Sequence, residues 1–169
     1  MIDIGILLLL LTAAVGSGLI GGLFFAFSTF IMKAFDRLPP AQAIAAMQAI
    51  NVTVLNPVFF AAFLGTGLVS IGLVAIAVVN RTEPAATFIM FGAAAYLMGS
   101  ILVTIMANVP LNNRLAGVRL EAEGLNNSWQ SYRGPWTRWN HVRTVASLTA
   151  AAAYGVATKL WSSLDGAMP

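Results

Sequence analysis

Long intervals without any charged side chain are the feature that most limits the folds open to this chain. They cover residues 4–32, 38–80, 84–113 and 144–158. Only 9% of the 169 residues are charged and 59% are hydrophobic, whereas about a quarter of a soluble domain is charged. A soluble fold of this size would leave too much apolar surface in contact with water. The sequence therefore predicts an integral membrane protein with a single membrane domain, residues 1–169.

The positions of the spans follow from the length that a helix needs, about 20 apolar residues, to cross a bilayer. The intervals predict an all-α fold, a membrane four-helix bundle with spans at about residues 4–30, 57–79, 85–107 and 142–160. Residues 40–53 contain Gln42, Gln48 and Asn51, and their apolar positions recur at helical spacing. This pattern predicts a short interfacial helix between spans one and two. Residues 108–141 are predicted to form a loop.

The basic residues are divided unequally between the two sides of this topology. Two of them, Arg81 and Lys159, lie on one side. The other seven lie in or beside the longer loops: Lys33, Arg37, Arg114, Arg119, Arg133, Arg138 and Arg143. The positive-inside rule places those loops in the cytoplasm and both termini outside it. In a bacterial cell, this topology predicts the inner membrane.

Composition also limits the partners and cofactors. There is no cysteine and only one histidine, so disulfides and thiolate sites are excluded and few metal ligands remain. We expect no metal within one chain, and a site shared between subunits stays open. The basic residues are scattered, which argues against nucleic acid and for the lipid bilayer as a partner. Gly18 and Gly22 form a GxxxG pair that serves either packing within the chain or a homo-oligomer.

Polar residues gather in three short stretches, residues 51–57, 108–113 and 136–143, which adjoin span ends at one membrane face. With the end of span one, they predict a pocket for a hydrophobic aromatic small molecule. Its candidate members are Phe24, Phe27, Ser28, Asn56, Asn108, Asn112, Trp136, Trp139, Asn140, His141 and Arg143. Simpler interpretations exist, since tryptophans also mark the membrane interface and Asn56 suits a helix cap.

Several runs of this sequence resemble the anthrone oxygenase-like family of small four-span membrane proteins. They are GGLFFAFS at 21–28, Asn56-Pro57, NVPLNN at 108–113 and WTRWNHVR at 136–143. The likeness extends over about residues 5–153. It implies an enzyme that oxidises an anthrone to an anthraquinone with O₂ and uses no metal or flavin cofactor. The positions that carry the motifs are Asn108, Asn112, Trp136, Asn140, His141 and Arg143.

The implied function is a cofactor-free monooxygenase acting on an anthrone or other polycyclic phenol. Loss of a proton from an anthrone gives an electron-rich enolate that can pass an electron to O₂. His141 is of the one residue type that titrates near neutral pH, so it is the predicted base. Arg143, with Asn108 or Asn112, would hold the enolate oxygen. Phenylalanine and tryptophan rings would enclose the substrate.

Two other functions remain open at this point. A non-catalytic membrane protein could bind a quinone or lipid in the same pocket, and its binding would survive loss of His141. A structural or partner subunit would use the GxxxG helix and residues 114–135 as contact surfaces. A transporter is disfavoured, because the spans contain no acidic residue and no inverted repeat is visible.

Overall fold

The computed structural model describes residues 4–162, and almost all of them are helical. Within that range the chain forms five helices and no strand. The helices are α1 (Ile4–Phe35), α2 (Pro40–Thr53), α3 (Pro57–Val79), α4 (Pro84–Ala116) and α5 (Leu125–Ser162). Helices α1, α3 and α4 are long and apolar enough to cross a membrane, which indicates an integral membrane protein. The fourth predicted span, 142–160, lies in α5, which is not among these three.

The four long helices pack as a bundle in which α5 lies against α1 and α4, and α3 contacts the same two helices. Residues such as Leu10, Leu73, Ile89 and Tyr154 are fully buried between them. Many large apolar side chains on α1, α3 and α4 point outward instead, and Val79 is 82% exposed. An outer surface of this kind is suited to lipid rather than water.

Small residues allow the helices to approach closely. A Cβ added to Gly99 of α4 would lie 2.4 Å from the Cβ of Ala146 in α5, so glycine is required at that crossing. A Cβ on Gly18 would lie 3.8 Å from Ala151 of α5, whereas one on Gly22 would meet nothing within 4 Å. Gly18 therefore packs within the chain and Gly22 is open, and a homo-oligomer through this face stays a prediction.

The helix starts follow from local sequence. A proline occupies the first turn of α2, α3 and α4, where its missing N–H loses no intrahelical hydrogen bond. Asn56 caps α3, because its Oδ1 accepts a hydrogen bond of 3.0 Å from the backbone N–H of Phe59. Gly124, with φ of 74°, precedes α5. This left-handed conformation favours glycine.

The predicted loop at 108–141 is largely helical, and only residues 117–124 of it lie outside helices. Helix α4 continues to Ala116, and α5 begins at Leu125 and runs through Pro135. A proline inside a helix removes one backbone hydrogen bond. Here Trp129, Tyr132 and Trp136 are buried on one face of α5, and this packing stabilises the helix across the proline.

The same aromatic residues form a second core cluster at one end of the bundle, together with side chains of α2 such as Met47. The side-chain amide of Gln48 in α2 donates to the carbonyls of Leu115 and Val118, at 2.8 and 3.0 Å. Asp36, which follows α1, accepts from Trp129 Nε1 at 3.0 Å and pairs with Arg133. These contacts hold α2 and the end of α1 against α4 and α5.

Candidate functional site

The helices α1 and α4 widen into π-helical turns close to the predicted site. Phe27–Ile31 in α1, and Ala95–Leu102 and Thr104–Asn108 in α4, have this form. Single wide turns within α-helices recur at functional sites, because they redirect the side chains that follow. The first segment supplies Phe27 and Ser28, and the last supplies Thr104 and Asn108.

A cavity of about 110 Å³ lies where the two core clusters meet, between α1, α2, the start of α3, α4 and α5. Its wall is formed by Leu23, Phe24, Phe27, Met47, Ile50, Asn51, Val54, Leu55, Phe59, Thr104, Val109, Asn112, Trp136 and Arg143. The most deeply buried of these are Phe24, Met47, Trp136 and Arg143, so they mark the inner end. The wall is largely apolar with a few directed polar groups, as in most small-molecule sites.

The guanidinium of Arg143 is fixed at this inner end, where the residue is only 5% exposed. One terminal nitrogen donates to Thr104 Oγ1 at 3.2 Å and the other to Asn140 Oδ1 at 2.7 Å. Its central carbon lies 4.0 Å from the centre of the Phe24 ring and 5.2 Å from that of the Trp136 ring. Both rings lie within the range of cation–π attraction.

Among residues 4–162 no aspartate or glutamate pairs with Arg143, and Asp36 pairs with Arg133 instead. A buried cation without a matching anion costs several kcal/mol of desolvation. An anionic ligand group at this end of the cavity would therefore be strongly favoured.

Asn140 holds the guanidinium from behind the cavity. It is fully buried, and its Nδ2 donates to the Phe24 carbonyl at 2.7 Å and to Ser28 Oγ at 2.8 Å. Ser28 Oγ also lies 2.9 Å from Thr144 Oγ1. Asn140 thus uses its amide to join α1 and α5 and its carbonyl to orient Arg143, so its role is to position Arg143.

Asn112 fixes the aromatic wall in the same way. Its Oδ1 accepts from the Tyr132 hydroxyl at 3.0 Å and from Trp136 Nε1 at 2.8 Å. Burial raises the pKa of the Tyr132 phenol, against the opposing influence of the Asn51 side chain and the Arg143 charge. Tyr132 therefore stays protonated at neutral pH and remains a hydrogen-bond donor.

Asn108 supports Trp136 without lining the cavity. It is fully buried, and its Nδ2 donates to the Trp136 carbonyl at 3.2 Å. Its Oδ1 has no hydrogen-bond partner. Asn108 therefore does not take the place next to the enolate oxygen that the sequence suggested for it.

The structure separates three other predicted members from the pocket. His141 is exposed, because successive residues of a helix are turned by about 100° and His141 and Arg143 lie on opposite faces. The predicted span begins at residue 142, between these two residues. Helix α5 begins at Leu125 instead, so both residues follow one regular helix and point in opposite directions. Trp139 is 44% exposed, and Asn56 serves as the cap of α3. The predicted pocket is corrected accordingly.

Three polar contributors were absent from the predicted set, namely Asn51, Thr104 and Tyr132. Tyr132 belongs to a buried stripe at 129, 132, 136, 140 and 143, whose alternation of three and four residues is a helical signal. Thr104 precedes Asn108 by one helical turn, and Asn51 opens the first polar stretch. The sequence contains each of these features. Because residues 108–141 are predicted as a loop, no helical register is available in which the stripe would be recognised as one face.

The mouth of the cavity is apolar and exposed. Leu23, Leu55 and Val109 are 37%, 62% and 39% exposed. An adjoining groove of about 430 Å³ shares Leu55 and Val109 with the cavity, together with Asn51 and Asn112. The two spaces therefore lie side by side, separated by these shared side chains. Among residues 4–162 no group of three or more histidine, aspartate or glutamate side chains is arranged to hold a metal ion.

The chain matches the anthrone oxygenase family over residues 55–153, which is more than half of its length. The matched segment contains Asn108, Asn112, Trp136, Asn140 and Arg143. Comparison with curated proteins and with solved structures found no match. The family match and the apolar helices together lead to one conclusion: the chain belongs to the anthrone oxygenase family.

Proposed function

We propose that the protein is a cofactor-free oxygenase of the membrane that oxidises an anthrone or other flat polycyclic phenol with O₂ in the Arg143 cavity. The observation that carries the proposal is the buried guanidinium of Arg143, which faces an aromatic-walled cavity and pairs with no carboxylate in the part of the chain that the structure describes. An enolate or phenolate oxygen has the charge that this position lacks. Family membership supports the same chemistry.

The proposal includes a topology. Residues 142–160 of α5 form the fourth span beside α1, α3 and α4, and α2 lies at the membrane interface. This arrangement is supported by the packing of α5 along α1 and α4 and by the scarcity of charge in 142–160. The excess of basic residues near α2 and residues 108–143 favours the cytoplasm for that face, with both termini outside, in a bacterial inner membrane.

The size of the cavity fits part of a tricyclic substrate. A cavity of about 150 Å³ holds a benzene molecule, so the space of about 110 Å³ beside Arg143 is large enough for one edge of the tricycle and not for all of it. The rest of the tricycle would extend past Leu55 and Val109 into the groove of about 430 Å³. The edge that carries the oxygen would lie against Phe24 and Trp136.

The proposed reaction replaces a CH₂ group by a carbonyl. The carbon first loses a proton, and the enolate then transfers one electron to O₂. The resulting carbon radical and superoxide form a C–O bond, which gives a hydroperoxide after protonation. Loss of the second C–H proton with cleavage of the O–O bond yields the ketone and water. One O₂ thus supplies the new carbonyl oxygen and the oxygen of one water molecule.

In this proposal the protein acts mainly by stabilising negative charge. Arg143 binds the enolate oxygen and so lowers the pKa of the bound substrate, and its neighbours Thr104 and Asn140 keep it in place. None of the side chains that line the cavity is a base at neutral pH. The proton therefore passes to water at the mouth, and His141, being exposed on the far side of α5, has no part in the step.

The test is oxygen uptake by the purified protein in detergent with an anthrone, against a control without protein, since anthrones oxidise slowly unaided. We expect uptake well above the control. Removing a donor to a developing oxyanion slows reactions by about 10²–10³-fold, so Arg143→Met should lose most of the uptake. Arg138→Met, which removes an exposed arginine of the same helix, is the matched control and should retain it.

Each failure has its own meaning. Uptake by the wild type at the rate of the control would refute the oxygenase. Full activity in Arg143→Met would refute the cavity as its site.

A non-catalytic protein that binds an anionic hydrophobic molecule is the second candidate, because no base lines the cavity. It predicts saturable binding of a phenolate or semiquinone that depends on Arg143, with no oxygen uptake. The semiquinone form of a quinone, or a lipid with an anionic head, would be the natural ligand. The same purified variants decide between the two functions.

A further inference from the structure

Two hydrogen-bond donors at the cavity make no hydrogen bond although solvent does not reach them. Among the described residues they are Nε of Arg143 and Nδ2 of Asn51, the second of which lies near the Tyr132 hydroxyl without completing a hydrogen bond to it. Buried polar atoms are normally paired in native proteins, so each exception calls for an explanation. Both residues line the same cavity, and a ligand there is the simplest partner for both.

The neighbouring acceptors are already engaged. Asn112 Oδ1 accepts from Tyr132 and Trp136. Thr104 Oγ1 accepts from Arg143 and donates its own proton to the carbonyl of Ser100 at 2.8 Å. Because Asn112 turns its oxygen toward the aromatic rings, its Nδ2 is left as a further donor. This part of the wall therefore offers hydrogens to a ligand and calls for acceptor oxygens.

Asn51 and Arg143 approach the cavity from different helices, α2 and α5. Both side chains line the same cavity, so a ligand that carries two oxygens on one edge can present one of them to each helix. A ligand with one oxygen would satisfy Arg143 and leave the Asn51 donor unpaired. A ligand with two neighbouring oxygens on one edge would satisfy both.

We infer that Asn51 is a specificity-determining residue, which donates a hydrogen bond to a second oxygen of the substrate beside the one held by Arg143. The inference rests on the proposed function for the identity of the substrate. It defines the substrate further, as a flat aromatic ketone or enolate with a hydroxyl or carbonyl oxygen adjacent on the same edge. That edge points inward, and the carbon to be oxidised points toward the mouth.

The experiment compares binding of 9,10-anthraquinone and 1-hydroxyanthraquinone, which differ only in the hydroxyl group beside one carbonyl. Binding is followed by quenching of tryptophan fluorescence, since Trp136 lines the cavity. The wild type should bind the hydroxylated probe about tenfold more tightly, as expected for one additional hydrogen bond. Asn51→Ala should bind both probes equally. Asn51→Asp, which places an acceptor of the same size at the donor position, should bind the hydroxylated probe least well of the three.

Asn127→Ala is the matched control, because Asn127 is exposed and lines neither the cavity nor the groove. It should keep the preference of the wild type. An unchanged preference in both Asn51 variants, or failure of the wild type to bind either probe, would overturn the inference. The readout needs no turnover. If the Asn51 variants lose the preference but the wild type shows no oxygen uptake, the oxygenase is refuted and the role of Asn51 stands. If the wild type shows oxygen uptake but the Asn51 variants keep the preference, the oxygenase stands and the role of Asn51 is refuted.

Discussion

Replacing Arg143 by methionine should remove function without a large loss of stability, which is an unusual result for a residue so deeply buried. Methionine has a similar length and no charge, so it fills most of the same space. The substitution removes two hydrogen bonds, to Thr104 and Asn140, and two ring contacts. It also removes the cost of keeping a cation away from water.

These contributions are of similar size. Hydrogen bonds to a charged group contribute about 1.5–3 kcal/mol each, and buried cation–π contacts about 1–2 kcal/mol each. The desolvation cost of one unmatched ion is several kcal/mol. Arg143→Met also leaves the buried Oδ1 of Asn140 without its donor, which costs about 1–3 kcal/mol. The free energy of unfolding of Arg143→Met should therefore lie within about 3 kcal/mol of the wild type, while binding of an anionic ligand is lost.

Replacing Asn140, which contacts Arg143, by leucine should have the opposite effect on stability. It leaves the Phe24 carbonyl, Ser28 and Arg143 without their partner, and each unpaired buried group costs about 1–3 kcal/mol. We expect this variant to lose more than about 3 kcal/mol. Equilibrium unfolding in mixed micelles, followed by tryptophan fluorescence, measures both variants on one scale.

The comparison can contradict the reasoning directly. If Arg143→Met unfolded as easily as Asn140→Leu, the arginine would be a structural tie between α4 and α5. The interpretation of its surroundings as a binding site for an anion would then be incorrect. Retention of anion binding by Arg143→Met would lead to the same conclusion.

Three further results are expected. His141→Ala should keep the oxygen uptake of the wild type within about twofold, because the histidine is exposed on the opposite face of α5 from the cavity; a large loss of uptake would restore it as the base. Leu55→Trp should narrow the mouth and lower kcat/KM for the anthrone by about tenfold or more, whereas Val58→Trp, at a 79% exposed position outside the cavity, should not; equal effects would place the entrance elsewhere. Burial raises the pKa of Tyr132 above its ordinary value of about 10, so its contribution to stability is complete below pH 10 and is lost as the pH rises further. The free energy of unfolding should therefore fall less steeply between pH 8 and 11 for Tyr132→Phe than for the wild type, and identical slopes for the two proteins would refute this assignment.

Five of the predicted site residues, Phe24, Phe27, Asn112, Trp136 and Arg143, line one cavity, and their roles stay predictions. The remaining members could not be placed without the helical register. Treating residues 108–141 as a loop left the faces of the following helix undefined, so His141 was grouped with Arg143 although 200° of rotation separates them in α5.

Sequence alone determined that this chain is helical and belongs in a membrane, because the length of an uncharged apolar run is a local property, and that length decides whether a helix can cross a bilayer. It also supplied the family, through short motifs. The tertiary structure decided which residues share the cavity, because that depends on the rotation of α5 relative to α1 and α4. It also decided that no carboxylate among residues 4–162 pairs with Arg143, since pairing depends on contacts between residues far apart in the chain. Those two facts define the site, and neither is encoded in any single segment.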